Sequence, residues 1–249
     1  MSAVFKVILE CKTFRTSIGS ATDNEGVTAA YLTVLEPVKD ISINRSCQIQ
    51  NITNTNSLIF VSQRNSLSLF SSAAEFFTRF SRLAEVTVVG ITVKLEAVDV
   101  ITNALHSNLG SLEKVVLSNC KLNSQTLGRI VSSLQKSNLK VMDLSHNEIK
   151  ISAVDPICQL VKENDVLVEI NLSHNGMGSE EAKRITCGLK NCRNLHSLNL
   201  SNNQITDDAA KELKRMALQL FKFKLRREHL DLTNNPLSSI TGLKRCVIS

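Results

Sequence analysis

Apolar positions in the second half of the chain follow a repeated phrase, Leu-x-x-apolar-x-Leu-x-x-Asn-x-apolar. Copies occupy residues 139–149, 167–177 and 195–205, and a looser copy with Cys120 at the Asn position begins at Leu112. The starting leucines at 112, 139, 167 and 195 are therefore 27, 28 and 28 residues apart. A period of this length indicates a stacked solenoid, in which each unit buries its apolar face only against its neighbours.

Each copy combines a strand with a helix. The alternating Leu-x-Leu segment predicts a short strand with its apolar side inward. Apolar residues at i, i+3, i+4 and i+7 then predict amphipathic helices, as in residues 127–134, 182–189 and 210–213. Asp155-Pro156 indicates the start of another helix, because Pro suits a first turn. The repeated strand–helix unit predicts an α/β fold with a parallel sheet.

The Asn in the phrase has an amide that can bond backbone groups where the chain turns. This position holds Asn147, Asn175 and Asn203. We expect a buried polar ladder that satisfies the turns and performs no chemistry. Residues 230–237 carry a last copy, and residues 83–93 fit a copy that lacks the Asn and precedes a helix at 98–105.

The first part of the chain keeps the period less well. Residues 59–61 predict a strand followed by a helix at 73–80, and residues 4–9 and 38–43 predict two more strands. Thr22-Asp-Asn-Glu25 resembles a capping box that opens a helix through residue 34.

Two interpretations of residues 1–55 stay open: degenerate repeats with an N-terminal cap, or a small attached domain. The lack of a Gly/Ser/Pro-rich linker favours the first. Residues 56–249 are then the repeat array with its C-terminal cap.

Composition narrows the class of protein. The chain has 43% hydrophobic but only 4% aromatic residues, which suits a core of Leu, Ile and Val. No apolar run reaches about 18 residues and no signal peptide is recognisable, so we expect neither membrane insertion nor export. Seven cysteines, an odd number, favour reduced thiols. These features predict a cytoplasmic protein.

The 28-residue unit with Leu-x-Leu-x-x-Asn/Cys-x-Leu resembles the ribonuclease-inhibitor type of leucine-rich repeat. Residues 203–213, Asn-Gln-Ile-Thr-Asp-Asp-Ala-Ala-Lys-Glu-Leu, are especially similar, and the resemblance covers about residues 112–240. It implies a horseshoe-shaped leucine-rich-repeat solenoid with a parallel, concave sheet and outer helices. It also implies a protein partner bound on the concave face.

Polar residues occupy the third, fifth and seventh positions of the phrase, which we expect on the concave face. The partner-binding candidates there are Asp143, Glu169, Asn171, Asn199 and Asp231. One interpretation is a polar, slightly acidic binding strip. The other is that Asp, Asn and Ser are simply common at these places in the repeat.

A basic run near the C-terminus is the second candidate surface, in a chain of net charge +6. Its candidates are Lys222, Lys224, Arg226 and Arg227. The interleaved Phe221 and Phe223 could stack on bases, so an RNA- or ribonucleoprotein-binding subunit is an alternative. No recognised nucleic-acid-binding motif accompanies the run, which disfavours this alternative.

No catalytic, cofactor or metal site is predicted. Glycines form no phosphate-binding loop, and no nucleophile and base share a recognisable motif. His146 and His174 hold equivalent positions in adjacent coils, but two ligands are fewer than a zinc site uses. The sequence predicts a non-enzymatic scaffold or adaptor in a larger intracellular assembly. By fold analogy, a cytoskeletal cap and a Ran-type GTPase-activating protein are alternatives.

Overall fold

The computed structural model describes residues 5–11, 14–20, 29–34, 57–62, 67–69, 83–189, 194–220 and 230–238. The chain divides into two compact units, residues 1–122 and 123–249. The described elements of the first unit are β1 (Phe5–Cys11), β2 (Phe14–Ser20), β3 (Ala29–Val34), β4 (Ser57–Ser62), β5 (Leu67–Leu69), β6 (Glu85–Val89), β7 (Ile91–Val93), α1 (Leu95–Ser107) and β8 (Lys114–Ser118). Those of the second are α2 (Ser124–Ser133), β9 (Val141–Asp143), α3 (Ile151–Glu163), β10 (Glu169–Asn171), α4 (Ser179–Leu189), β11 (Ser197–Asn199), α5 (Asp207–Leu220) and β12 (Leu230–Asp231).

The second unit stacks strand–helix coils in register. Strands β9 to β12 are parallel neighbours, and Ile170 pairs with Met142 on one side and Leu198 on the other. All three side chains are buried. Helix α2 packs on α3, α3 on α4 and α4 on α5. The predicted α/β solenoid with a parallel sheet and flanking helices is therefore confirmed.

The core of this unit lies between the strands and the helices. Its large buried helical residues include Leu127, Ile130, Val131, Val154, Ile157, Leu160, Ile185, Leu189 and Leu213. Each fully buried Leu or Ile contributes roughly 1.5–3 kcal/mol. The predicted helical spacing is thus the spacing of the side chains that face the sheet.

The asparagine ladder joins successive coils. The Asn203 side-chain amide donates to the Leu172, Leu200 and Ser201 carbonyls at 3.0, 3.0 and 3.2 Å. Its Oδ1 accepts the backbone N–H groups of Asn175 and Met177, both at 3.0 Å. Asn147, Asn175 and Asn235 make related bonds within their own coils, and Asn175 and Asn235 also donate to the Leu144 and Leu200 carbonyls of the coils before them. The predicted structural role of these side chains is confirmed.

Cys120 takes the same place within the first unit. Its thiol donates to the Val88 and Ser118 carbonyls at 3.3 and 3.4 Å, and the residue is buried. The thiol reproduces two of the amide's donor contacts with a weaker donor.

The first unit is a second set of stacked strands. Strand β1 pairs antiparallel with β2 and parallel with β3, and the parallel pairing continues through β4, β6 and β8. Val86 and Val88 of β6 are buried, as are Val98, Ile101 and Leu105 of α1. The repeat predicted at 83–93 and the helix after it are confirmed.

The sequence predicted a helix through residue 34, and this is wrong, because residues 29–34 form strand β3. This segment, Ala-Ala-Tyr-Leu-Thr-Val, ends in residues of high strand propensity, and it is paired on both sides by β1 and β4. Pairing over its whole length therefore outweighs the capping-box signal upstream. The predictions at 38–43 and 73–80, and the boundary between 55 and 56, lie outside the described residues.

Helix α3 begins at Ile151, four residues before the predicted start at Asp155. Ser124, from the preceding coil, caps its first turn: its Oγ accepts from the N–H groups of Lys150 and Ala153 at 2.9 and 3.1 Å. The Lys150 amide precedes the helix, and the Ala153 amide also donates to the Lys150 carbonyl at 2.9 Å, so Ser124 adds a second acceptor in the first turn. A cap contributed by a distant residue has no local sequence signal.

Pro156 consequently lies inside α3, where it has no N–H to donate to the Ser152 carbonyl. That carbonyl oxygen lies against Gly128 of α2, and a Cβ on Gly128 would stand 2.5 Å from it. The glycine therefore lets the two helices approach at the point where the proline interrupts the hydrogen-bond ladder.

We expect Gly128→Ala to lower the free energy of unfolding by about 1–3 kcal/mol, because the new methyl group would clash with the Ser152 backbone carbonyl. Alanine is the better helix former by about 1 kcal/mol, so a gain in stability would contradict the close approach. Gly110→Ala is the control, since nothing lies within 4 Å of its Cβ position. Urea denaturation of both variants measures the difference.

Asn203→Ala should cost more than about 3 kcal/mol, because it leaves three carbonyls and two N–H groups without their partner. Asn203→Cys should cost less, since Cys120 shows that a thiol at this position can share its one hydrogen between two carbonyls. Equal losses for the two variants, measured by the same denaturation, would contradict this account of the ladder.

Candidate functional site

The polar strip is the row of fifth-position side chains across the four strands of the second unit, together with Glu169. Asn171 pairs with Asp143 on one side and Asn199 on the other, and Asn199 pairs with Asp231. These four residues are half-buried and Glu169 is exposed. The structure thus brings together five of the predicted candidates on the strand face that alternates with the core face.

Each member of the row also bonds the backbone two residues further on. The Oδ1 atoms of Asp143, Asn171 and Asn199 accept the N–H groups of the residues at 145, 173 and 201 at 2.8, 3.1 and 2.9 Å. Asp231 accepts the Thr233 N–H at 2.9 Å. These bonds satisfy amides where the strands end. The signal was present in the sequence as a recurring Asp/Asn-Leu-Ser/Thr, but its structural use was missed.

One bond also runs across the row. The Asn171 amide donates to Asp143 Oδ2 at 2.9 Å. Since Oδ1 accepts the Ser145 N–H, each carboxylate oxygen of Asp143 accepts a hydrogen bond. A carboxylate can accept about four hydrogen bonds, so Asp143 retains acceptor capacity beyond these two. The strip is therefore fixed in position and still able to accept donors.

A second row, the rim, lies three residues after the polar strip at the ends of the strands. Its members are His146, His174, Asn202 and Asn234. All have left-handed backbone, with φ of 56, 56, 54 and 56°, and Asn and His tolerate this region better than most residues. The side chains pair along the row, since Asn234 donates to Asn202 Oδ1 at 3.0 Å.

The two histidines of the rim stack on each other. Their ring centroids are 3.9 Å apart with planes at 13°, and both residues are exposed. Partial burial lowers the pKa of His146, the adjacent His174 lowers it further, and Asp143 partly opposes both. Among the described residues, no three His, Cys, Asp or Glu side chains are grouped so as to hold a metal ion.

The Cys158 thiol of helix α3 lies in surroundings that disfavour nucleophilic chemistry. Burial raises the pKa of the Cys158 thiol, which donates to the Arg184 carbonyl at 3.3 Å. A raised pKa disfavours the nucleophilic thiolate. No helix in the described part of the chain is long and apolar enough to span a membrane. The basic candidates Lys222, Lys224, Arg226 and Arg227 lie outside the described residues.

Comparison with known proteins identifies a repeat family in the same part of the chain as the repeated phrase. A family model described as "Leucine Rich repeat" matches residues 191–214, which include β11 and the start of α5. The chain contains leucine-rich repeats. The match falls where the predicted phrase, the asparagine ladder and the strand register coincide.

Two relatives carry leucine-rich repeats in their names. The chain is 25% identical over 119 residues to human NACHT, LRR and PYD domains-containing protein 13, covering 47% of this chain and 11% of that protein. It is 30% identical over 113 residues to mouse NACHT, LRR and PYD domains-containing protein 5, covering 45% and 10%. The matched part is about a tenth of the length of these relatives.

A solved structure of an internalin from Listeria monocytogenes aligns with 90% of this chain and 78% of its own. Its sequence is 12% identical and the TM-score is 0.30, a level that carries no structural inference.

The stacked histidines should make the leucine-rich repeats sensitive to acid. Because the folded pKa of His146 lies below its unfolded value near 6.5, stability is present above that pH and is lost as pH falls below it. We expect His146→Asn to lose less thermal stability than the wild type between about pH 7.5 and 5.5. Asn suits the left-handed backbone, as Asn202 and Asn234 show. Parallel melting curves would contradict the shifted pKa.

Proposed function

We propose that the chain is a non-enzymatic interaction subunit that binds a protein partner through the polar strip of its second unit. The observation that carries the proposal is the polar strip itself: four aligned strands present ordered acceptors on the face that the core does not use. The backbone bonds of Asp143, Asn171, Asn199 and Asp231 support it, because side chains fixed before binding lose little entropy on binding.

Charge supports a partner with basic side chains. The strip carries the carboxylates of Asp143, Glu169 and Asp231, and no Lys or Arg occupies the third, fifth or seventh positions of described strands β9 to β12. Complementary charge favours rapid and specific association. Glu169 is the exposed member of the set, so we expect it to contact the basic side chains of the partner.

The relatives' names support a role within a larger assembly. The names of those proteins include leucine-rich repeats together with other domains, and this chain matches about a tenth of their length. We infer a repeat of the ribonuclease-inhibitor type, with the strip on its concave face, in a cytoplasmic scaffold or adaptor. A cytoskeletal assembly is one setting for such a subunit.

A photoreactive amino acid placed at residue 169 tests the proposal in the native cell. We expect one defined protein adduct from this position. The same amino acid at Glu163, an exposed residue at the end of α3, should give no adduct or a different one. The contrast is expected because Glu169 lies on a strand and Glu163 at the end of a helix in the adjacent coil.

Charge reversal supplies the matched functional control. Glu169→Arg should weaken capture of that protein by at least about tenfold, since it places like charge against a basic partner. Glu163→Arg makes the same charge change on the helix side and should leave capture unchanged. Capture that survives Glu169→Arg, or that is lost equally in both variants, would remove the polar strip as the binding surface.

A further inference from the structure

The rim places two imidazoles beside a carboxylate. The rings of His146 and His174 stack at 3.9 Å. Asp143, which acts electrostatically on His146, lies three residues before it at the end of β9. Both histidines are exposed and Asp143 is half-buried. Asn171 holds the Asp143 carboxylate from the neighbouring strand, so the arrangement is fixed on two coils.

Ring stacking favours uncharged imidazoles, because two adjacent positive rings would repel each other. The lowered pKa of His146 agrees with this. Each neutral imidazole offers one acceptor nitrogen and a π face, and the carboxylate of Asp143 retains acceptor capacity. These groups together suit a cation that can both donate several hydrogen bonds and lie against a ring.

We propose that the His146–His174 stack and Asp143 form a receiving site for an arginine side chain of the protein partner. The proposal rests on the proposed function, since it assumes a partner bound across the same strands. Arginine is the better occupant than lysine for a physical reason. Its guanidinium is planar and weakly hydrated, stacks on aromatic rings and donates in a fixed fork to carboxylates, whereas an ammonium is a hydrated point charge.

We expect the site to bind arginine less tightly in acid. The ionisable groups that act on His146 are His174, at the equivalent position of the next coil, and Asp143, three residues earlier at the end of β9. The rim residue beyond His174 is Asn202, which does not titrate. Protonation of His146 therefore adds positive charge that Asp143 opposes only in part, and arginine should bind less tightly as pH falls below the ordinary histidine value near 6.5.

Nuclear magnetic resonance of the full chain tests the site with a defined probe, N-acetyl-arginine amide, and with N-acetyl-lysine amide for comparison. At about pH 7.5 we expect the arginine probe to shift the ring signals of both histidines and the amide of Ser145. Binding should be about threefold or more tighter than for the lysine probe. It should fall about threefold or more at pH 5.5.

Two variants separate the contributions. The double variant His146→Asn, His174→Asn keeps residues that the rim already tolerates and should abolish both the preference for arginine and the pH dependence. Asp143→Asn can still accept the Ser145 N–H and should weaken binding while the ring stack persists. Melting curves confirm that each variant is folded.

The result that overturns the proposal is an absence of ring shifts at pH 7.5, equal shifts with both probes, or unchanged binding in the double histidine variant. These outcomes are distinct from failure of the proposed function. An adduct from residue 169 without arginine binding at the rim would retain the polar strip as an interface and remove this site. If neither the adduct nor arginine binding is observed, both the polar-strip interface and the arginine site are ruled out.

Discussion

The bond between the buried asparagine of one coil and the backbone of the coil before it is the constraint on which the second unit depends. Its strands are only two or three residues long, and the turns after them join the next coil both through backbone bonds, such as Leu144 N–H to the Asn171 carbonyl at 2.9 Å, and through the asparagine side chains. Asn203 alone meets three carbonyls and two N–H groups from two coils. Unsatisfied, buried groups of this kind cost about 1–3 kcal/mol each.

The constraint explains the period. An amide can reach both coils only if successive strands stay in register, and the register pairs Ile170 with Met142 and Leu198, each 28 residues away. The same register also aligns all the remaining equivalent positions of successive coils. The polar strip and the rim are therefore consequences of a ladder whose own function is structural.

The parts of the fold that repeat could be predicted, and the parts held by unique contacts could not. The strands, the helical faces and the ladder follow from spacing alone, because each coil presents the same problem to its neighbour. The start of α3 depends on Ser124 from another coil, and β3 depends on pairing on both sides. In both cases a tertiary contact overrides a local signal that is real but weaker.

The candidate site shows a different limit. The sequence identified the residues of the polar strip but left open whether they bind a partner or serve the fold, and the structure shows that they do serve the fold. The decisive distinction is between Asp and Asn. Either side chain can accept the N–H two residues on, as Asp143 and Asn171 both do, so the turn does not require a charge. The rim makes the same point, since His174 and Asn202 share one backbone conformation.

What the fold leaves undetermined is therefore the choice among residues that satisfy it equally well. Asp143 and Asp231 carry charge where Asn would suffice, Glu169 is exposed on its strand, and two histidines stack where the next two coils have Asn. Selection for folding alone supplies no reason for these choices. The cation-binding surface that we propose would supply one, and the charge and ring character of these few positions would then carry the information about the partner.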